Sequence, residues 1–286
     1  MKLDLAISPC PNDTFIFQSF SRPGFWKDEL ELVFEDVEEL NRRALQERRH
    51  AFTKLSYYAM ALCREDYVLL GPGGALGRGC GPLLISSAGK ENPGNIQEIF
   101  ERPRRVLIPG RWTTANLLLK YFLKKEGVPL ERHEFIPERY DRIMDKLQSG
   151  REELGVIIHE ERFTYAERGL RALRDLGEFW EESTGLLIPL GCIAARRDLP
   201  QDLIREFQEK IRESILYSRA HAEEIAPFIK CRAQETEDRV IQAHIDLYVN
   251  EYSFDPGEEG RRAQEAIFRE ALEISDEKTS SKTAAP

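Results

Sequence analysis

Between residues 105 and 159 the chain reads strand, helix, strand, helix, strand, and no other feature limits its possible folds more. RVLI ends in Pro-Gly, and Leu117, Leu118, Tyr121 and Phe122 then give residues 113–125 one apolar helical face. HEFIP follows as a strand. Ile143, Met144 and Leu147 mark a helix over residues 140–149, stopped by Gly150, and LGVIIH is an apolar strand with His159 at its carboxyl end. Parallel strands can be joined only by long crossovers, so this alternation predicts an α/β fold with a parallel sheet.

The flanking segments predict a second α/β unit. KLDLAI (2–7) alternates as a strand, SPCPND breaks it, and a short helix begins at Thr14. Further strands are expected at residues 30–37, 51–53, 67–70 and 83–86, with helices over 38–47 and from Leu55 to Leu62. GPGGALGRGCGP holds six glycines and two prolines in twelve residues and reads as loop, letting backbone pass close to a ligand or to the other unit. TGLLIPLGCIAARRD (184–198) reads as a strand returning to the first unit. Helices are expected from Leu199, over 237–250 and over 258–274, before a polar, frayed tail. The expected layout is discontinuous: residues 1–104 with 189–286 form a larger lobe, and residues 105–188 an inserted smaller one. A hinge with two chain crossings would leave an interlobe cleft, the usual place for a small ligand.

Composition narrows the function. The chain of 286 residues is 41% hydrophobic, enough for real cores, and carries a formal charge of −9. An acidic surface repels phosphate backbones, so nucleic acid is not an expected partner. A small anion would need local help from a helix N-terminus or a placed Lys. The opening MKLDLAISPCPND is unlike a secretory signal and no apolar run approaches the roughly 20 residues that span a bilayer, so a soluble, cytoplasmic chain is expected, with no membrane partner. Cys10, Cys63, Cys80, Cys192 and Cys231 contain no CxxC pair. They read as buried small apolar side chains, and no metal site is expected.

His159, at the carboxyl end of an apolar strand, stands where open parallel sheets bind ligands, and is the candidate base. Glu160 could orient its ring or face solvent. His50 reads as exposed, His133 as the start of a strand, His221 as part of a polar helix stretch, and His244 as a core or interface histidine. Lys54 and Ser56 sit at a strand-to-helix junction, and Thr113 and Thr114 at another, where hydroxyls and backbone N–H groups could hold a carboxylate or simply cap the helices. No GxGxxG opening a helix and no GxxxxGK[ST] occurs.

SPCPNDTFIF (8–17), FEDVEELNR (34–42), TKLSYYA (53–59), GGALGRGCGPL (73–83), PGRWTTANLLL (109–119), YDRI (140–143), GVIIHEERFTY (155–165), TGLLIPLG (184–191) and YVNEYSFDPGEEG (248–260) are particular segments. Together they resemble the 1,4-dihydroxy-6-naphthoate synthases of menaquinone biosynthesis, the MqnD family. The resemblance runs from the first strand to Gly260. It implies a two-lobed periplasmic-binding-protein-like type 2 fold used as a carbon–carbon lyase. The reaction implied converts cyclic dehypoxanthine futalosine to 1,4-dihydroxy-6-naphthoate and dihydroxyacetone, without a cofactor. It also implies His159 as the base, with Lys54, Leu55, Ser56, Thr114 and Ala115 contacting the carboxylate-bearing substrate. Asn12, Asp13 and Thr14, at the end of the first strand, are expected to line the cleft, with turn-making the alternative. Trp112, Glu161 and Cys192 depart from the family pattern. Two other readings remain at this point: a sibling chorismate dehydratase, against which the IIHE segment argues, and a non-catalytic carboxylate-binding protein. Oligomeric state stays open.

Overall fold

The computed structural model describes residues 3–27, 29–87, 95–234 and 237–283, of which 276–283 are described as backbone only. Its strands, in chain order, are β1 (Leu3–Ile7), β2 (Leu30–Phe34), β3 (Phe52–Ser56), β4 (Tyr67–Leu69), β5 (Ala75–Gly77), β6 (Leu83–Ser87), β7 (Arg105–Ile108), β8 (Glu134–Pro137), β9 (Leu154–Ile157), β10 (Leu170–Asp175) and β11 (Ile188–Arg196). They form two sheets. One runs β2-β1-β3-β11-β4, with β5 also paired to β11, and the other β10-β6-β9-β7-β8.

The expected parallel unit is present. β7 pairs in parallel with both β8 and β9, and the crossovers are the helices Thr114–Lys125 and Tyr140–Gln148. The returning strand is present too: β11 pairs antiparallel with β3, β4 and β5.

Three expectations about the frame need correction. The boundary at residue 104 left Leu83–Ser87 in the first lobe, but β6 pairs antiparallel with β9 and β10 in the second sheet. The chain therefore first changes sheets between β5 and β6, and returns between β10 and β11. Strand periodicity is the same in either sheet, so only the long-range partner decides. The glycine-rich stretch is not all loop, because β5 lies inside it. The last helix, Gly257–Thr283, runs past the expected end at Ile274, while Lys2 and residues 284–286 of the tail lie outside the described residues.

Two large cores hold the sheets. Leu5, Ile7, Phe17, Phe52, Phe207 and Ile211 pack the first sheet against the helices Pro11–Phe17 and Gln201–Ala220. Phe52 stacks on Phe207 at 3.6 Å between ring centroids. Each such side chain contributes about 1.5–3 kcal/mol by leaving water. A second core joins Leu55 and Tyr57 of the first unit to Leu84, Leu117 and Val156 of the second, so the units share buried apolar surface. Among the described residues no helix is long and apolar enough to cross a membrane.

Candidate functional site

The turn after β1 begins the site. Pro11 opens the helix Pro11–Phe17, where a missing N–H costs nothing, and the first turn places Asn12 and Asp13 beside Ser8. Asp13 is fully buried and well bonded. Its Oδ2 accepts the Ser8 N–H and hydroxyl at 3.2 and 2.7 Å, and its Oδ1 accepts Asn12 Nδ2 at 3.0 Å and Lys54 Nζ at 2.5 Å. Lys54 comes from β3. Gly191 on the neighbouring β11 leaves room for this side chain in its present place, since a Cβ there would lie 2.8 Å from Lys54 Cε.

Ser8, Asn12, Asp13, Lys54 and Ser56 line one side of a cleft whose other side holds Thr113, Thr114, Ala115 and His159. Ala75, Cys80 and Pro82 of the glycine-rich stretch also reach it. Most of the residues expected to meet there do so.

Leu55 and Thr14 are exceptions. Alternation along β3 sends Leu55 to the opposite face from Lys54 and Ser56, and it packs fully buried in the apolar core. Thr14 turns its hydroxyl back to the Cys10 and Pro11 carbonyls at 3.0 and 3.2 Å, serving its own helix rather than the cleft.

The two strand-to-helix junctions differ. Ser56 holds the N-cap position of the helix Tyr57–Leu62, but its side chain makes no cap bond. It instead exchanges two bonds with Asn41: Asn41 Nδ2 donates to Ser56 Oγ at 3.0 Å, and Ser56 N donates to Asn41 Oδ1 at 2.9 Å. Thr113 does cap, its Oγ1 accepting the Asn116 N–H at 3.3 Å. Thr114 donates its hydroxyl across the cleft to the Leu190 carbonyl of β11 at 2.7 Å.

His159 follows β9 with φ of 57°, a left-handed conformation uncommon outside glycine. Such backbone persists where its surroundings over-determine it. Its ring meets the edge of Tyr140 at 5.0 Å and lies nearly parallel to His244 at 6.0 Å. Burial pushes its pKa down to about 4; the negative charge of Asp13 opposes this and the positive charge of Lys54 assists it. The imidazole is therefore neutral at pH 7 and able to take a proton.

Sequence reasoning missed the support behind this ring. His244 is fully buried, and its Nε2 lies 3.0 Å from Asn12 Oδ1. Asn12 Nδ2 already donates to Asp13, so His244 Nε2 is the donor in that bond. Its Nδ1 lies 3.7 Å from Glu160 Oε2. Burial, with the neighbouring His159 and Lys54, holds His244 well below the usual imidazole pKa. Glu160 does not face solvent: it is buried, on the His244 side of the loop. Glu161 is buried as well, and burial reinforced by Glu160 raises its carboxyl well above the ordinary range.

Ligand atoms of Cys10, His159 and Glu160 lie within 4.8 Å of one another. Burial lifts the Cys10 thiol well above its usual pKa, so sulfur is kept as a weak thiol ligand rather than thiolate. The other histidines and cysteines have structural surroundings. His50, expected at the surface, is buried with Nδ1 2.6 Å from Asp4 Oδ2, and His133 Nδ1 accepts the Arg104 N–H at 3.1 Å. Cys231 is exposed, contrary to expectation, while Cys63, Cys80 and Cys192 are buried.

A cleft lined from both halves of a two-sheet α/β chain defines the periplasmic-binding-protein-like class. The aliphatic sulphonate binding protein SsuA from Escherichia coli superposes with a TM-score of 0.67 over 96% of this chain and 87% of its own, at 12% identity. Protein AF1704 from Archaeoglobus fulgidus does so at 0.84, with 30% identity over 96% and 98%. Within that class the sequence is more particular: residues 3–273 match the family described as menaquinone biosynthesis, and the chain belongs to it. It is 48% identical to the "1,4-dihydroxy-6-naphtoate synthase" of Thermus thermophilus, over 94% of this chain and 93% of the relative. The protein of the same name from Streptomyces coelicolor is 36% identical over 94% and 92%.

Proposed function

We propose that this chain is a lyase of menaquinone biosynthesis that converts cyclic dehypoxanthine futalosine to 1,4-dihydroxy-6-naphthoate with release of dihydroxyacetone, and that His159 is its base. The observation that carries the assignment of the base is the place of His159, held in a left-handed turn and lining the same cleft as Lys54 and Asp13. Burial lowers its pKa to about 4, which leaves the ring free to take a proton at pH 7. The two named relatives support the reaction.

The chemistry asks little beyond a base, orientation and exclusion of water. His159 takes a proton from the bicyclic substrate, a carbon–carbon bond breaks, and the remaining ring becomes aromatic, which drives the step. The electron pair of the broken bond leaves with the three-carbon piece, which takes the proton back from the imidazolium to become dihydroxyacetone and restores the base. Ser56 and the start of the helix Thr114–Lys125 hold the substrate carboxylate, where the helix end favours negative charge. Lys54 supplies positive charge at the same wall, tempered by Asp13. The two lobes close on the ligand as hinged halves, and the enzyme works in the cytoplasm.

Incubation of the purified chain with cyclic dehypoxanthine futalosine, followed by mass spectrometry, tests the reading. The naphthoate and dihydroxyacetone should appear together. Dehydration of chorismate instead would transfer the chain to the sibling activity, and tight binding without turnover would make it a binding protein.

A further inference from the structure

Glu38 reaches from the helix Val37–Glu47, packed beside the first sheet, to the loop that follows β7 in the second. Its Oε1 accepts the Arg111 N–H at 2.5 Å, and Oε1 and Oε2 share the Trp112 N–H at 3.3 and 3.2 Å. The approach is close at residue 110. A Cβ there would lie 2.3 Å from Glu38 Cδ and Oε2, so a larger residue would displace the carboxylate from this position.

Both ends of this contact continue to the cleft. On the first side, the fully buried Asn41 donates Nδ2 to Glu38 Oε2 at 3.4 Å and to Ser56 Oγ at 3.0 Å. On the second, Arg111 and Trp112 lead into the capping Thr113 and then Thr114, and Asn116 Nδ2 donates to the Arg111 carbonyl at 2.7 Å. Glu38 itself is not among the residues that line the cleft.

We propose that Glu38 is a positioning residue: its carboxylate ties the 110–113 loop to Asn41 and Ser56, and so holds the two carboxylate-binding walls of the cleft, Ser56 and Thr114–Ala115, at a productive spacing. This rests on the proposed function for its kinetic readout. Bonds from two consecutive backbone N–H groups give the tie direction, and they are charge-assisted when Glu38 is ionised. Burial works against it, raising the Glu38 carboxyl to about 7, while the Trp112 and Arg111 bonds pull it down.

Two substitutions attack the tie from opposite sides. Glu38→Gln keeps the shape but leaves one oxygen for two N–H donors, and Gly110→Ala keeps every native side chain while displacing the carboxylate. Each is expected to raise KM about tenfold with kcat within about threefold, because a smaller share of molecules has the binding-competent spacing. Each should also speed hydrogen exchange at the Arg111 and Trp112 amides. The double variant Glu38→Ala with Gly110→Ala should be no worse than Glu38→Ala alone. Unchanged KM and unchanged exchange in both single variants, or losses that multiply in the double variant, overturn the proposal. If Glu38→Gln fails to fold, Gly110→Ala supplies both readouts. If the wild type itself does not turn over the substrate, the proposed function fails, and amide exchange alone still decides the role of Glu38.

Discussion

Lys54 Nζ lies 2.5 Å from Asp13 Oδ1, and the two side chains are only 6% and 0% exposed. Such a pair is a poor source of net stability, since two charges have left water, but breaking it is expensive. Asp13→Ala is therefore expected to cost about 3–5 kcal/mol in urea unfolding, because the ammonium is left buried without its partner. Replacing both residues by apolar ones should cost less than Asp13→Ala alone. A loss under 1 kcal/mol in the single variant would show that water reaches Lys54.

The base assignment sets a pH profile. His159 must be neutral to accept a proton, and its folded pKa is about 4. The acid limb of kcat/KM in the free enzyme is expected near that value, well below the ordinary 6.5 of histidine. A limb at 6.5 or above would show that the ring is hydrated in the free enzyme. Stability follows the same linkage. Between 6.5 and about 4 the unfolded chain binds this proton and the folded one does not, so His159 makes the fold lose stability as pH falls through that window. His159→Asn tolerates the left-handed backbone and lacks the base. It is expected to lower kcat by about 10²–10⁴ while the naphthoate product still binds.

Glu161 gives the opposite sign. Its folded pKa is raised well above 4.5 by burial and by Glu160, so its contribution is complete below 4.5 and declines as pH rises toward the folded value. Glu161→Gln removes the titration. The variant's urea midpoint relative to wild type is expected to rise from pH 4 to pH 8. An unchanged difference across that range would mean that Glu161 is solvated.

Thr114 joins the two units through its hydroxyl on the Leu190 carbonyl at 2.7 Å. Thr114→Val keeps the shape and loses the donor, which should destabilise by about 1–2 kcal/mol and raise KM, whereas Thr114→Ser should behave nearly as wild type. Equal behaviour of the two variants would deny the hydroxyl a role.

How far these features were legible depended on distance along the chain. The β7–β9 unit was readable because each strand and crossover helix declares itself within a dozen residues. β6 was assigned to the wrong side because its own residues carry no mark of the strand 70 positions away that pairs with it. Lys54 and Ser56 could be separated from Leu55 only after the strand was seen to continue through Ser56, since one residue of register reverses the face.

The amino-acid sequence by itself determined the α/β alternation, the family, and His159 at the end of an apolar strand, because these are written in local periodicity and in contiguous motifs. Tertiary structure alone decided that His244 bonds Asn12 across 232 positions, that Glu160 is buried beside it, and that Glu38 meets the loop after β7. The physical reason is desolvation: whether a carboxylate or an imidazole is a surface group or a tuned one depends on what excludes water from it, and those atoms come from elsewhere in the chain.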